Sequence, residues 1–159
     1  MSALNIEIAS RIEAGEILGS AERCADLIYL VSIGDPYDDL PAGYDAFGPK
    51  LRLLIGDVLT DDGATDADVR HIIGLAESLR AEAGTVLVHC EAGVSRASAT
   101  ALIMYACWLG PGYEREAMAH VLAQRPIAVP NRRMVQIGDR LLEREGRLLE
   151  VLDGKPPRL

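Results

Sequence analysis

Residues 86–89 are an apolar, β-branched run, Val86-Leu87-Val88, closed by His89, and Cys90 follows at once. Arg96 stands beyond the intervening Glu91-Ala92-Gly93-Val94-Ser95, and residues 97–109 are apolar nearly throughout. No other segment constrains the fold as tightly. It requires a buried strand that feeds a central, buried helix. The helix must then aim its N-terminus at the carboxyl end of the strand, where Cys90 stands. A thiol in that position is biased toward thiolate, and an anion of phosphate size is stabilised beside it.

The rest of the chain supplies matching elements. Residues 4–9 read as a first strand. Ser10 and Glu13 have capping-box spacing and open a short helix to Leu18. Residues 25–33 form a continuous apolar run suited to a parallel strand. Residues 34–49 are rich in Gly, Pro and Asp and read as a loop, with Tyr37, Tyr44 and Phe47 packing beneath it. Residues 51–55 make a third strand, with Asp57 just past its end. Thr65 or Asp66 caps a helix running to about Ala83, with Val69, Ile72, Ile73, Ala76 and Leu79 on one face and Gly84 as its stop. After the fourth strand (85–89) and the central helix, Gly110-Pro111-Gly112 breaks the chain. A helix over 113–125 follows, then a loop between Pro126 and Pro130. A last helix runs from Asn131 past Leu149, and Pro156-Pro157 close a frayed tail.

Alternating strands and helices imply one α/β domain over residues 1–159, a mostly parallel sheet of four to five strands flanked by helices. In such folds ligands bind beyond the carboxyl ends of the strands. Asp57 and Cys90 both fall there.

Composition removes several classes. A net charge of −8 argues against a nucleic-acid or anionic-membrane binder. No apolar run approaches the ~20 residues of a membrane span. The first residues carry neither a basic start nor a long apolar core, which sets aside a secretory signal. Cys24, Cys90 and Cys107 form no CxxC pair and no Cys/His cluster, so neither a disulfide framework nor a metal site is implied. A reducing, cytoplasmic setting follows. Cys24 and Cys107 read as core residues, and His71 and His120 as solvated ones.

The loop from Cys90 to Arg96 can bind an anion. Its backbone N–H groups can curl round one, and Gly93 permits a backbone angle denied to other residues. Arg96 can grip two phosphoryl oxygens at once. These donors suit the charge of a phosphoryl-transfer transition state.

The string His89-Cys90-Glu91-Ala92-Gly93-Val94-Ser95-Arg96 resembles the HCx5R phosphate loop of cysteine-dependent protein tyrosine phosphatases, and the HCxAGxSR form of their dual-specificity-like branch. The resemblance covers residues 51–142, and the first fifty residues match only loosely. It implies a tyrosine-phosphatase-like fold and hydrolysis of a phosphomonoester through a phosphocysteine intermediate. Cys90 would be the nucleophile, Arg96 the clamp and Asp57 the general acid, with Asp61, Asp62 and Asp66 as alternatives. Residues Glu91, Ala92, Gly93, Val94, Ser95 and Arg96 would hold the phosphoryl group, with His89 and Asn131 supporting. Arg125 and Pro130-Asn131 resemble the segment that packs against that loop. No cofactor or metal is implied. The implied substrate is a phosphorylated protein or small phosphomonoester, and the implied state a monomer. With no lysine in the loop, highly phosphorylated inositols are disfavoured.

Two departures stand out. Ala97 occupies the position where the family carries Ser or Thr, whose hydroxyl helps the thiolate leave. Ser98 lies about 100° further round the helix. Arg132-Arg133-Met134 follow Asn131, where an aromatic is more usual. Two other readings stay open. One is a catalytically weak phosphoprotein-binding module, suggested by Ala97. The other is a rhodanese-like sulfurtransferase, whose loop spaces Cys and Arg one residue closer.

Overall fold

A computed structural model describes residues 4–156. Strands β1 (Leu4–Ala9), β2 (Leu27–Gly34), β3 (Lys50–Leu54) and β4 (Gly84–His89) form one parallel sheet in the order β1-β4-β2-β3. The helices are α1 (Arg11–Leu18), α2 (Ala21–Cys24), α3 (Asp66–Leu79), α4 (Arg96–Leu109), α5 (Glu114–Gln124), α6 (Arg132–Leu141) and α7 (Arg147–Leu152).

Side chains alternate across each strand, so the sheet has two different faces. Ile6, Ile8, Val31, Ile33, Leu53, Val86 and Val88 join the main core with α3, α4, α5 and α6. Ala9, Leu30 and Leu87 pack on the other face with Ala14 and Ile17 of α1, and Tyr44 and Phe47 close over them. Helix α4 is buried from Arg96 to Cys107, which explains its apolar circumference. Because all strands are parallel, Ser10, Asp35, Ile55 and Cys90 emerge on one edge of the sheet.

Several boundaries differ from the sequence expectation. Ser20 caps the extra helix α2 through Arg23 N–H, and β2 begins at Leu27. Helix α3 stops at Leu79, where the chain turns back toward the sheet. Gly84 is the first residue of β4 rather than a helix stop. Its φ is 132°, and a Cβ there would lie 2.7 Å from the Ile28 side chain. Tyr37 is 98% exposed and packs under nothing, unlike Tyr44 and Phe47.

The long last helix is two helices, α6 and α7. Between them Glu143, Glu145 and Gly146 take φ of 56°, 57° and 84°. Arg144 turns inward here. It donates to Ala106 O at 2.8 Å at the end of α4 and pairs with Glu114 at 2.8 Å, both side chains 4% exposed. Asp139 of α6 accepts from the N–H groups of Gly146 and Leu148 and so caps α7. Buried hydrogen bonds thus hold a backbone that local propensity resists. Pro157 lies outside the described residues.

Candidate active site

Cys90 is 2% exposed and leaves β4 directly below the N-terminus of α4. Its Sγ accepts from the N–H of Ala97 at 3.4 Å. That N–H is one of the first-turn donors a helix leaves unpaired.

Every carbonyl of the loop, from Cys90 to Ser95, has a donor outside the loop's inner face. Cys90 O faces His89 Nδ1 at 3.1 Å. Glu91 O accepts from Arg11 N–H, Val94 O from Val129 N–H, and Ser95 O from Asn131 N–H. Arg125 donates to Gly93 O and Ala92 O, both at 3.1 Å. In a planar trans peptide the N–H points opposite to the C=O. Holding these carbonyls outward therefore turns the N–H groups of residues 91–96 inward, into one anion-binding concavity.

Gly93 makes this curl possible. Its φ is 69°, and a Cβ would sit 2.5 Å from the backbone carbon of Ala9. Arg125 is in turn held by Glu13, at 2.9 and 2.8 Å, across 112 positions of sequence. The pair holds the Glu13 carboxyl at about 2, through Arg125 first and then bonds to Ser10.

Arg96 is 5% exposed at the first position of α4. Its Nη1 donates to Ile55 O at 2.8 Å and stands 3.8 Å from the half-exposed Asp35 carboxylate. Its Nε is buried with no hydrogen-bond partner. A cation is disfavoured at a helix N-terminus unless an anion lies beside it, and the buried Nε gives Arg96 a donor that such an anion could use.

Asp57 is exposed, two residues past Ile55. Its Oδ1 accepts from Ser95 Oγ at 2.8 Å and from Asn131 Nδ2 at 3.0 Å. Two of the other carboxylates pair with arginines. Asp61 is fully exposed and pairs with Arg133, and Asp66 pairs with Arg140. Asp62 is exposed. Thr65, not Asp66, caps α3. Asn131 also caps α6 through Met134 N–H, which fixes its side chain beside Asp57.

Glu91 turns outward to Arg11 at 2.9 Å. Ser98 donates to Val94 O and Ser95 O rather than facing Cys90. Arg132 pairs with Asp153, and Arg133 also donates to Ala64 O. Cys107 is buried, and burial pushes its thiol up to about 11. His71 and His120 are exposed, His120 stacking on Tyr105.

Sequence reasoning missed Ser32, Arg52, Glu13, Arg11 and Asp35 around this site. Ser32 and Arg52 had a signal: each interrupts an apolar strand. His89 is 1% exposed, its Nε2 2.7 Å from Ser32 Oγ. Burial holds its imidazole below the ordinary range, and the charge of Arg52 adds to this.

No protein-family model matches the chain. Over 55 residues, 35% of the chain, it is 47% identical to protein phosphatase Slingshot homolog 3 of Rattus norvegicus. The match spans only 8% of that relative's length. Among solved structures, the chain is similar to Tk-PTP in its active form, with a TM-score of 0.63, 20% identity, and 91% of this chain and 94% of that one covered. It is also similar to DUSP15, with a TM-score of 0.65, 20% identity, and 99% and 96% covered.

Proposed function

We propose that this chain, which has the fold shared by tyrosine and dual-specificity phosphatases, hydrolyses phosphomonoesters through a phosphocysteine on Cys90. The observation that carries the reading is the loop itself. Its carbonyls are held outward from Cys90 to Ser95, above a buried thiol and beside a buried, idle Arg96 donor.

In the first step Cys90 Sγ attacks phosphorus in line with the ester oxygen. The S–P bond forms, the P–O bond breaks, and Asp57 gives its proton to the leaving oxygen. The N–H groups of residues 91–96 and the Arg96 guanidinium hold the three phosphoryl oxygens. In the second step water attacks phosphorus, Asp57 takes a proton from it, and the S–P bond breaks to return the thiolate and inorganic phosphate. Each proton transfer has a named carrier on the rim of the site.

Phosphotyrosine, alone or with phosphoserine and phosphothreonine, is the substrate class this reading favours. The match to a protein phosphatase supports it. The absence of lysine from residues 91–95 disfavours highly phosphorylated inositols. Cys24, Cys90 and Cys107 are all free, which suits a reducing, cytoplasmic setting. No described helix is long and apolar enough to cross a membrane.

One observation favours a second reading, a phosphoprotein-binding module. Ala97 offers no hydroxyl beside Sγ, and Ser98 is engaged elsewhere. Turnover of an aryl phosphate between about pH 5 and 8, by the protein and its Cys90→Ser variant, separates the two. Hydrolysis lost in Cys90→Ser supports the enzyme. Phosphotyrosine-peptide binding without turnover supports the module, and turnover that survives Cys90→Ser removes the mechanism.

A further inference from the structure

Parallel pairing sets three polar side chains in one row on the α1 face of the sheet. Ser32 of β2 is the register partner of Arg52 on β3 and of His89 on β4. Both neighbours bond to its hydroxyl. Arg52 Nη1 donates to Ser32 Oγ at 2.9 Å, and Ser32 Oγ lies 2.7 Å from His89 Nε2. On the far side of the ring, His89 Nδ1 lies 3.1 Å from the Cys90 carbonyl. Ser32 is 0% exposed and His89 1%, so the protein supplies every partner.

Donor and acceptor chemistry assigns a direction to each proton in this row. A guanidinium can only donate, so Ser32 Oγ accepts from Arg52. The Ser32 proton is then free to go one way, to His89 Nε2, which must be the unprotonated nitrogen. A carbonyl can only accept, so His89 Nδ1 carries the ring proton and gives it to Cys90 O. An imidazolium would place two N–H donors on the Ser32 oxygen and leave its own O–H without an acceptor in a dry site. The other neutral tautomer would set a nitrogen lone pair against the Cys90 carbonyl.

We propose that Ser32 and Arg52 are positioning residues, which hold His89 as the neutral Nδ1–H tautomer and so keep the Cys90 carbonyl turned out of the phosphate cradle. The Cys90–Glu91 peptide is the first of the loop, and its orientation decides whether the Glu91 N–H faces the anion. The charged groups facing His89 are Arg52 from β3, Arg11 from α1 and Glu91 from the loop. Arg11 and Glu91 are bonded to each other, and Arg52 is bonded to Ser32 with the Asp38 carboxylate near its guanidinium. The consequence for catalysis rests on the phosphatase reading, but the state of the ring does not.

The test is nitrogen-15 NMR of the His89 ring in the intact protein, between about pH 5 and 8, with inorganic phosphate binding measured on the same samples. The expected wild-type signature is a neutral ring with Nδ1 protonated throughout. Arg52→Met leaves the Ser32 hydroxyl free to turn away from Nε2, so the single Nδ1–H signature gives way to a mixture of neutral tautomers and phosphate binding weakens roughly tenfold. Arg52→Lys keeps a charged donor and restores both. A wild-type ring that is cationic or protonated on Nε2 overturns the proposal and requires no variant to fold. So does an Arg52→Met protein whose ring signature and phosphate affinity both match wild type. A neutral Nδ1–H ring in a protein without hydrolytic activity would leave the row standing and remove the phosphatase reading alone.

Discussion

The carboxylate of Asp57 accepts a hydrogen bond from the hydroxyl of Ser95 at 2.8 Å. This joins the loop after β3 to the loop after β4, so the proposed acid and the proposed anion cradle share one anchor. Asn131 completes the junction from a third segment. Asp57→Asn keeps the contacts but cannot carry the proton. Its kcat on poor leaving groups should fall by about 10² or more, and activated aryl phosphates should suffer less. Equal losses on both substrates would assign the proton to another group. Ser95→Ala should produce a smaller loss with the same leaving-group bias.

Asp35 stands 3.8 Å from Arg96 and competes with any bound anion for its charge. Two unit charges at about 4 Å interact by ~1 kcal/mol in a water-like medium. Asp35→Asn should therefore tighten inhibition by orthovanadate roughly fivefold at low salt. The gain should shrink as ionic strength rises. Titration calorimetry at two salt concentrations reads both effects.

Ala97 is fully buried, and its N–H points at Cys90 Sγ. With no hydroxyl there, release of the thiolate in the second step should be the slow one. Rapid mixing with an aryl phosphate should show a burst of the alcohol product, about one per active site. Ala97→Ser should reduce the burst and raise steady-state turnover. A linear time course in the wild type at low temperature would count against a slow second step.

Glu13 is held at about 2, below its ordinary 4.5, chiefly by Arg125. A depressed carboxyl stabilises the fold while ionised. The contribution is complete above about pH 4.5 and disappears as the pH falls toward 2. Glu13 is 44% exposed, so the effect is moderate. Glu13→Gln should lower the Tm at pH 7, and the gap to wild type should close as the pH approaches 2. A gap independent of pH would mean that charge is not its source.

Arg144 and Glu114 are paired in the core, each 4% exposed. Arg144→Met strands a buried carboxylate and frees carbonyls at the end of α4, at a cost of about 3–5 kcal/mol in denaturant unfolding. The double variant Arg144→Met with Glu114→Leu should recover part of that loss, because no lone charge remains. The pair is remote from Cys90, so protein that stays folded should keep its kcat.

How much of this was readable in the sequence follows from how each contact is made. Cys90, Gly93 and Arg96 sit in one short loop, so their nearness to one another is legible from spacing alone. Asp57 was legible as a strand end and Asn131 as the start of a helix, although only the fold shows Asn131 and Ser95 donating to one oxygen of the Asp57 carboxylate. Ser32 and Arg52 gain their meaning from register with His89, which no local pattern contains. The break between α6 and α7 was hidden because residues 131–149 keep a helical period. It is imposed by Arg144 reaching Ala106, 38 positions away. The place of Gly84 is likewise decided by how close β4 lies to Ile28.

The brace formed by Glu13 and Arg125 spans 112 positions and closes on the carbonyls of Ala92 and Gly93 between them. A ribosome that has just released Cys90 has not yet made the residue that shapes its loop. Helices α1 and α4 can form early from local contacts, but the brace must await one of the longest loop closures in the chain. Regain of anion binding in a refolding experiment should therefore lag behind helical signal and coincide with the last tertiary phase. The loop around Cys90 would thus take its final shape only when the most distant contacts of the fold are made.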